Sequence, residues 1–523
     1  MLLFRNILNM RLLRNPGTLL FLVSIVISLP TQAQEALGIV NSNYSGVNSL
    51  WINPANAANS RSAISLNILA GDLFVNSNYI FIHKKDYGFF KIFKVDVNNP
   101  KYMYLYDYPE YTFIDTLHYY DYFKNNALKN FYFNGRIAGP SLLFKSGDHA
   151  VSFMTAFRNN ISGSNIPSDV ANFGFRGLDF VPQQHITYKD GKFDFAMLSW
   201  IELGAGYTYT FYNDGRNRFS AGITLKYLLG TAAAYCTFKN VTYKVPYQDT
   251  LIVYDMNTTI GLAAPLDYAT NQFSLNPLVK GKGYSGDIGI TYSRLMGQPA
   301  KSSLFSAKED ASEEDYRFRA GISLLDVGYI KFTQSVQVHN FNNVTNRIWP
   351  GLIGFKATGI QQFLRSASYN MLGDSLASLT DQSSFSIWLP TALSAQFDYN
   401  FGYDLYVNAT YVQGIRMGSP GVRRETLLAV TPRYETPDWE VNLPLSIVDF
   451  RHPAIGLAVR IFYLVIGTEK LGTFLNLTDI SGIDLYFALE INLDPKAAKR
   501  LFSKGKKSKG CESIREYKRY QVH

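Results

Sequence analysis

The chain has 523 residues with a formal charge of +9, and its 36 Tyr, 37 Phe and 39 Gly against 17% charged residues set it apart from helix-rich and disordered chains. The charge is uneven: Arg5, Arg11 and Arg14 lie at the start, ten Lys or Arg crowd Lys496 to His523 against Glu512 and Glu516, and the body between them carries about −2. Such a body excludes a nucleic-acid-binding surface, and the basic feature is a terminal appendage.

The opening Arg residues precede an apolar run, Leu19 to Leu29, and Pro30-Thr31-Gln32-Ala33 supplies a small-residue cleavage context. Residues 1–33 read as a secretory signal peptide cut after Ala33. No Cys stands at the cleavage region, which disfavours a lipoprotein, and no later run of apolar residues is long enough for a helical span. An exported, aromatic-rich β-protein of this size points to the outer membrane of a diderm bacterium.

Residues 34–62 are polar and Asn-rich and contain WINPANAA. Two readings stand: a turn entering a short helix with Asn53 as cap and Pro54 at its first position, or a plug folded into a barrel, with Asn53, Pro54 and Ala55 as its motif.

The clearest stretch beyond it is Glu202 to Gly230. Its first arm puts Leu203, Ala205, Tyr207, Tyr209 and Phe211 on one face and Gly204, Gly206, Thr208 and Thr210 on the other. Asn213-Asp214-Gly215 turns the chain, and the second arm sets Phe219, Ala221, Ile223, Leu225, Tyr227 and Leu229 against Ser220, Gly222, Thr224 and Lys226. Alternation alone also fits a soluble sandwich. Arms of about ten residues, with a Gly- and Thr-rich inner face and aromatic ends, fit a transmembrane hairpin better.

The same reading along the chain gives strands at 63–82 (with a bulge near Gly71), 131–144, 149–157, the two hairpin arms, 284–294, 316–325, 386–399, 403–412, 425–434, 439–448, 453–460, 462–467 and 483–493. That makes about fourteen, an even number. Connections after even strands are short apart from 298–315, whereas 83–130, 158–201, 231–283 and 326–385 are long. Short periplasmic turns alternating with long external loops predict an all-β, transmembrane antiparallel β-barrel over 63–493, with both chain ends in the periplasm. Residues 494–523 read as a disordered basic periplasmic tail.

No chemical signature predicts an enzyme, a metal site or a cofactor. The seven His form no ligand pair, and a nucleophile elbow, Walker loop and dinucleotide fingerprint are all missing. Asp148-His149 sits at a turn, and Cys236 and Cys511 make no disulfide framework. The functional candidates are ionisable residues at inward positions: Lys226, Asp287, Asp398, Asp404, Asp484 and Glu490. Such groups pair with one another or with a plug, or line a lumen that binds or conducts. The Tyr-rich stretch YMYLYDYPEYTF in the first long loop suits either a folded cap or contact with proteins or glycans.

The body from WINPA through GITLKYLLGTAAAY, GISLLDVGYIKF, LPTALSAQFDYN and Val430-Thr431-Pro432-Arg433-Tyr434-Glu435 to Ile483-Asp484-Leu485-Tyr486-Phe487 resembles an uncharacterised family of Bacteroidota outer-membrane β-barrels, many of which carry an OmpA-like module after the barrel. This chain ends instead in KRLFSKGKKSKGCESIREYKRYQVH. The Asn-Pro-Ala also resembles the plug entry of FadL-type long-chain fatty-acid transporters and of the related barrel subunit of type IX secretion. That resemblance implies a transporter or channel for hydrophobic small molecules. The alternative is a structural or secretion-associated scaffold whose partners are outer-membrane lipid and periplasmic or secretion-system proteins.

Overall fold

The computed structural model describes residues 35–84, 120–178, 180–268, 272–274, 276–296, 315–352 and 359–493. The expected signal peptide, the Tyr-rich stretch and the expected basic tail lie outside them.

Fourteen antiparallel strands close into a barrel. In chain order they are β1 Ile64–Ser77, β2 Lys129–Ala138 continued by Ser141–Ser146, β3 His149–Ile166, β4 Phe193–Asn213, β5 Asn217–Tyr247, β6 Gly281–Leu295 and β7 Tyr316–Phe332. The other wall is β8 Phe385–Trp388 with Ala392–Gly402, β9 Leu405–Gly414, β10 Leu427–Glu435, β11 Trp439–Asn442 with Leu445–Val448, β12 Arg451–Ile455 with Leu457–Ile461, β13 Leu464–Thr468 and β14 Gly482–Leu493. Pairing of β1 with both β14 (Leu73 opposite Leu485) and β2 (Leu73 opposite Gly135) leaves the sheet no free edge around the ring. Each segment expected from alternation overlaps one of these strands, although the expected 63–82 strand ends at Ser77, with Ile80–Ile82 pairing separately with Tyr120–Tyr122, and the bulge in β1 falls between Asn67 and Leu69 rather than at Gly71.

Alternation decides which way each side chain points. Along β4, Leu203, Ala205, Tyr207, Tyr209 and Phe211 are exposed while Gly204, Gly206, Thr208 and Thr210 are buried, and β5 repeats the pattern from Ala221 to Leu225. Ile223 and Ile290 lie on this outward face, at 44% and 41% exposure. Leu485 shares it but is half-buried. An outward surface this apolar, set on a closed ring of hydrogen-bonded strands, meets both demands of a bilayer on a β-structure.

Two expected loops are instead built of strands. β5 runs on to Tyr247, pairs there with the strand Thr250–Ala263, and that strand pairs with Val336–Trp349. Helix α1, Ile360–Leu372, packs over this extension with Phe363, Leu364, Ala367 and Met371 inward, and ends where Gly373 takes φ +90, a backbone angle that favours glycine. Together with Phe173, Val241, Tyr243, Val253, Phe341 and Val344 they form a second core, a crown beyond the long-loop end of the barrel. The strands here lack the simple inside-outside alternation of the ring: from 231 to 246 only Lys239 of β5 is exposed, whereas Val336–Trp349 leaves Asn342, Asn343 and Thr345 to Ile348 exposed.

Candidate functional site

The lumen is filled by residues 35–62. A short helix, Leu37–Val40, is followed by two 3-10 turns, Gly46–Trp51 and Pro54–Asn59. Both readings of WINPANAA meet here, since Asn53 caps the second turn, its Oδ1 accepting from Ala55 N at 2.9 Å with Pro54 in the first position, and the turn itself lies inside the barrel.

The seat of Asn53-Pro54-Ala55 explains the glycines on the inner wall. A Cβ at Gly222 would stand 2.6 Å from Ala55 N, and one at Gly289 would stand 2.2 Å from Asn53 Oδ1. Asn53 Nδ2 donates to Gln396 Oε1 (3.0 Å) and to the carbonyls of Ile290 and Ile322 (both 3.4 Å). Thr208 Oγ1 donates to Pro54 O at 2.9 Å, Ser323 Oγ to Ile52 O at 2.6 Å, and Asn59 Nδ2 to Thr291 Oγ1 at 3.0 Å. The plug thus occupies the space that Gly289 and Thr291 face.

The predicted ionisable residues are not one site. Lys226 and Asp287 come together, diagonal neighbours on β5 and β6, with Nζ 2.8 Å from Oδ2. Both serve a hub that the sequence did not reveal, Asp326, which takes Lys226 Nζ at 2.8 Å and Arg158 Nη1 at 3.0 Å. Asp326 has φ +54, opposite a register shift between Gly286 and Ile288, so its own N–H turns inward and donates to Asp287 Oδ1 at 2.7 Å. Glu202 accepts from Arg158 at 3.3 Å and from Trp200 Nε1 at 3.1 Å, and Trp51 of the plug receives Arg136 over its ring at 4.4 Å.

The other candidates sit apart. Asp398 takes both Nη atoms of Arg433, at 2.7 and 2.8 Å. Asp484 accepts from Glu469 N at 2.7 Å, and Glu490 accepts from the plug's Asn48 Nδ2 at 2.8 Å. Asp404 is a correction: it lies in the β8–β9 turn at φ 63, not on an inward strand face, because pairing begins only at Leu405. Glu202 shares the parity of Gly204 and Gly206 and was legible as an inward charge. Asp326 and Arg424 were not, since one depends on a bulge and the other on how a long loop folds.

Buried charges in a lumen persist when each has a partner, and here the partners are wall or plug. The cavity between Trp51, Arg136, Lys226, Asp326 and Arg424 offers ≈ 20 Å3 of water-accessible space, and a second among Asn41, Asn43, Asn59, Arg319 and Asp398 offers ≈ 30 Å3. These hold about one and two waters, against the several hundred Å3 that a small organic ligand requires. Above the charges, Trp200, Leu228, Ile330, Phe332, Ile387 and Leu389 form an apolar layer. Among the described residues no group of side chains suits a metal ion, and no helix is long and apolar enough to cross a membrane.

A model for a family of unknown function, DUF5723, matches residues 54–469, most of the chain. The chain belongs to this family. The region matched begins on the plug's Pro54 and runs through β13, so in this member of DUF5723 it takes in both the plug's seat and nearly the whole ring. No curated relative matches the chain. Among solved structures, the toluene transporter TbuX of Ralstonia pickettii aligns at 11% identity over 86% of this chain and 94% of that one, with a TM-score of 0.37. A FadL homologue of Pseudomonas aeruginosa aligns at 12% identity over 89% and 99%, also with a TM-score of 0.37. At such scores the architecture of the DUF5723 chain rests on its own strand pairing.

Proposed function

We propose that this protein is an outer-membrane barrel closed by its own N-terminal segment, which holds an elaborate crown at the cell surface as a scaffold for other envelope or secretion-system proteins. One observation carries the reading: the plug is bonded to β4, β6, β7, β8 and β14, and the two cavities beside it hold only a few waters. Residues 1–33 serve export and are removed, and the basic tail from Lys496 reaches acidic partners or anionic lipid in the periplasm.

A second reading, passage of hydrophobic small molecules, draws on the apolar layer over the charged belt. It requires the plug to leave its seat, because apolar cargo does not cross a belt of paired charges. The two readings part in a deletion strain. Undiminished uptake of a radiolabelled fatty acid or of toluene, together with protein partners captured by crosslinking on the surface, supports the scaffold; lost uptake without partners supports transport.

A further inference from the structure

The lumen has a second closure, made by the chain between β9 and β10. Residues 415–426 cross the barrel from Gly414 to the opposite wall. Val422 N donates to Trp388 O and Trp388 N to Pro420 O, both at 3.1 Å, and Val422 joins the apolar layer with Trp200 and Phe385. At the far wall Arg423 N donates to Ser162 Oγ on β3 at 3.0 Å, and Arg416 and Arg423 reach Asp194 on β4 at 2.9 and 3.5 Å. A loop from one wall thus ends as a bar bonded to the other.

The next residue, Arg424, turns down to the plug. Its Nε donates to Glu35 Oε1 at 3.0 Å, a second contact runs from Nη2 to the same oxygen, and its Nη1 lies 3.7 Å from Asp326. The side chains of Arg424, Glu35 and Asp326 are 6%, 1% and 4% exposed. Removing one member of so enclosed a set strands its partners, which is why such contacts act together rather than singly. Arg424 is therefore the place where the surface-side bar, the wall hub and the first residues of the plug meet.

From this geometry we propose that the bar and the plug are one two-part latch coupled through Arg424: displacement of the bar from outside withdraws the guanidinium and frees residues 35–45, and loss of the plug's Glu35 loosens the bar. The inference rests on the plugged-barrel reading and adds how the closure responds to the cell surface. The coupling is reciprocal by thermodynamic necessity, so it is testable from both ends. It predicts that a partner or ligand gripping the exposed tip around Arg416 and Met417 is sensed at the plug.

The test uses the full-length protein with Cys236 and Cys511 replaced by Ser, folded in detergent micelles, with one reporter cysteine at Ser42 in the plug or at Val422 in the bar. Rates of modification by a water-soluble maleimide are read in four variant backgrounds and in the reporter alone. Glu35→Gln is expected to raise labelling at position 422 about tenfold by releasing Arg424, and Arg416→Gln with Arg423→Gln is expected to raise labelling at position 42 about tenfold although both side chains bond Asp194 of the wall. Arg424→Gln is expected to raise both, and adding Glu35→Gln to it should change little more. If each variant loosens only its own segment, the latch is wrong. A control for fold, the heat-dependent gel mobility of the barrel, identifies variants that do not assemble, for which Arg424→Lys replaces Arg424→Gln. Single-channel conductance of the unmodified protein is scored separately: a wide, steady pore would overturn the plugged reading itself, whereas silent channels with uncoupled labelling would overturn the latch alone.

Discussion

The two halves of β5 show one strand under two solvents. From Asn217 to Gly230, Ala221, Ile223 and Leu225 stand exposed while Gly222, Thr224 and Lys226 face the plug; from 231 to 247 only Lys239 and Tyr247 are exposed. The lower half has one apolar face and one small or polar face because lipid-like surroundings and a polar plug flank it. The upper half is covered on both sides by protein, so Ala233, Tyr235, Val241 and Val245 are all buried in crown or lumen cores. The period of a strand reports its surroundings as much as its backbone.

That contrast can be broken at graded cost. Trp200 is fully buried in the apolar layer with its Nε1 donating to Glu202 of the charged belt, and Trp200→Ala should cost about 3–5 kcal/mol and lower the temperature at which gel mobility shifts. On the outward face, Ile290→Arg should cost about 2–4 kcal/mol by placing a charge in the bilayer, read from urea unfolding in vesicles. One residue before it, Gly289→Leu should cost about 1–3 kcal/mol by a different route, overpacking against Asn53, and should be relieved when residues 46–60 are deleted, whereas Ile290→Arg should not.

The smallest effect concerns pH and belongs to the crown. Burial, with Asp169 adding to it, raises the Asp190 carboxyl to about 6, beside Tyr243 on the neighbouring strand. A raised carboxyl favours the protonated, folded form, so its contribution is full below about pH 4 and is lost as pH rises through 6. Protection of the amides at 187–190, measured against the intrinsic base-catalysed exchange rate, should therefore fall roughly between pH 4.5 and 7.5, and Asp190→Asn should flatten the difference. A pH response unchanged in that variant would assign it elsewhere.

By itself the sequence determined the ring. Side chains point to opposite faces every residue, so Leu203 to Phe211 could be sorted into inward and outward sets without a partner strand, and turns such as Asn213-Asp214-Gly215 divide one strand from the next. Inward charges at simple parity, Lys226, Asp287 and Glu202 among them, were legible for the same reason. Only the tertiary structure decided what these charges meet. The bulge that turns Asp326 inward, the loop that carries Arg424 across the barrel, and the seat of Asn53 on Gly222 and Gly289 join residues far apart in the chain. Alternation is a local property of extended backbone, and WINPANAA offered a plug, but what that plug and the inward charges meet depends on register and bulges that join residues far apart in the chain.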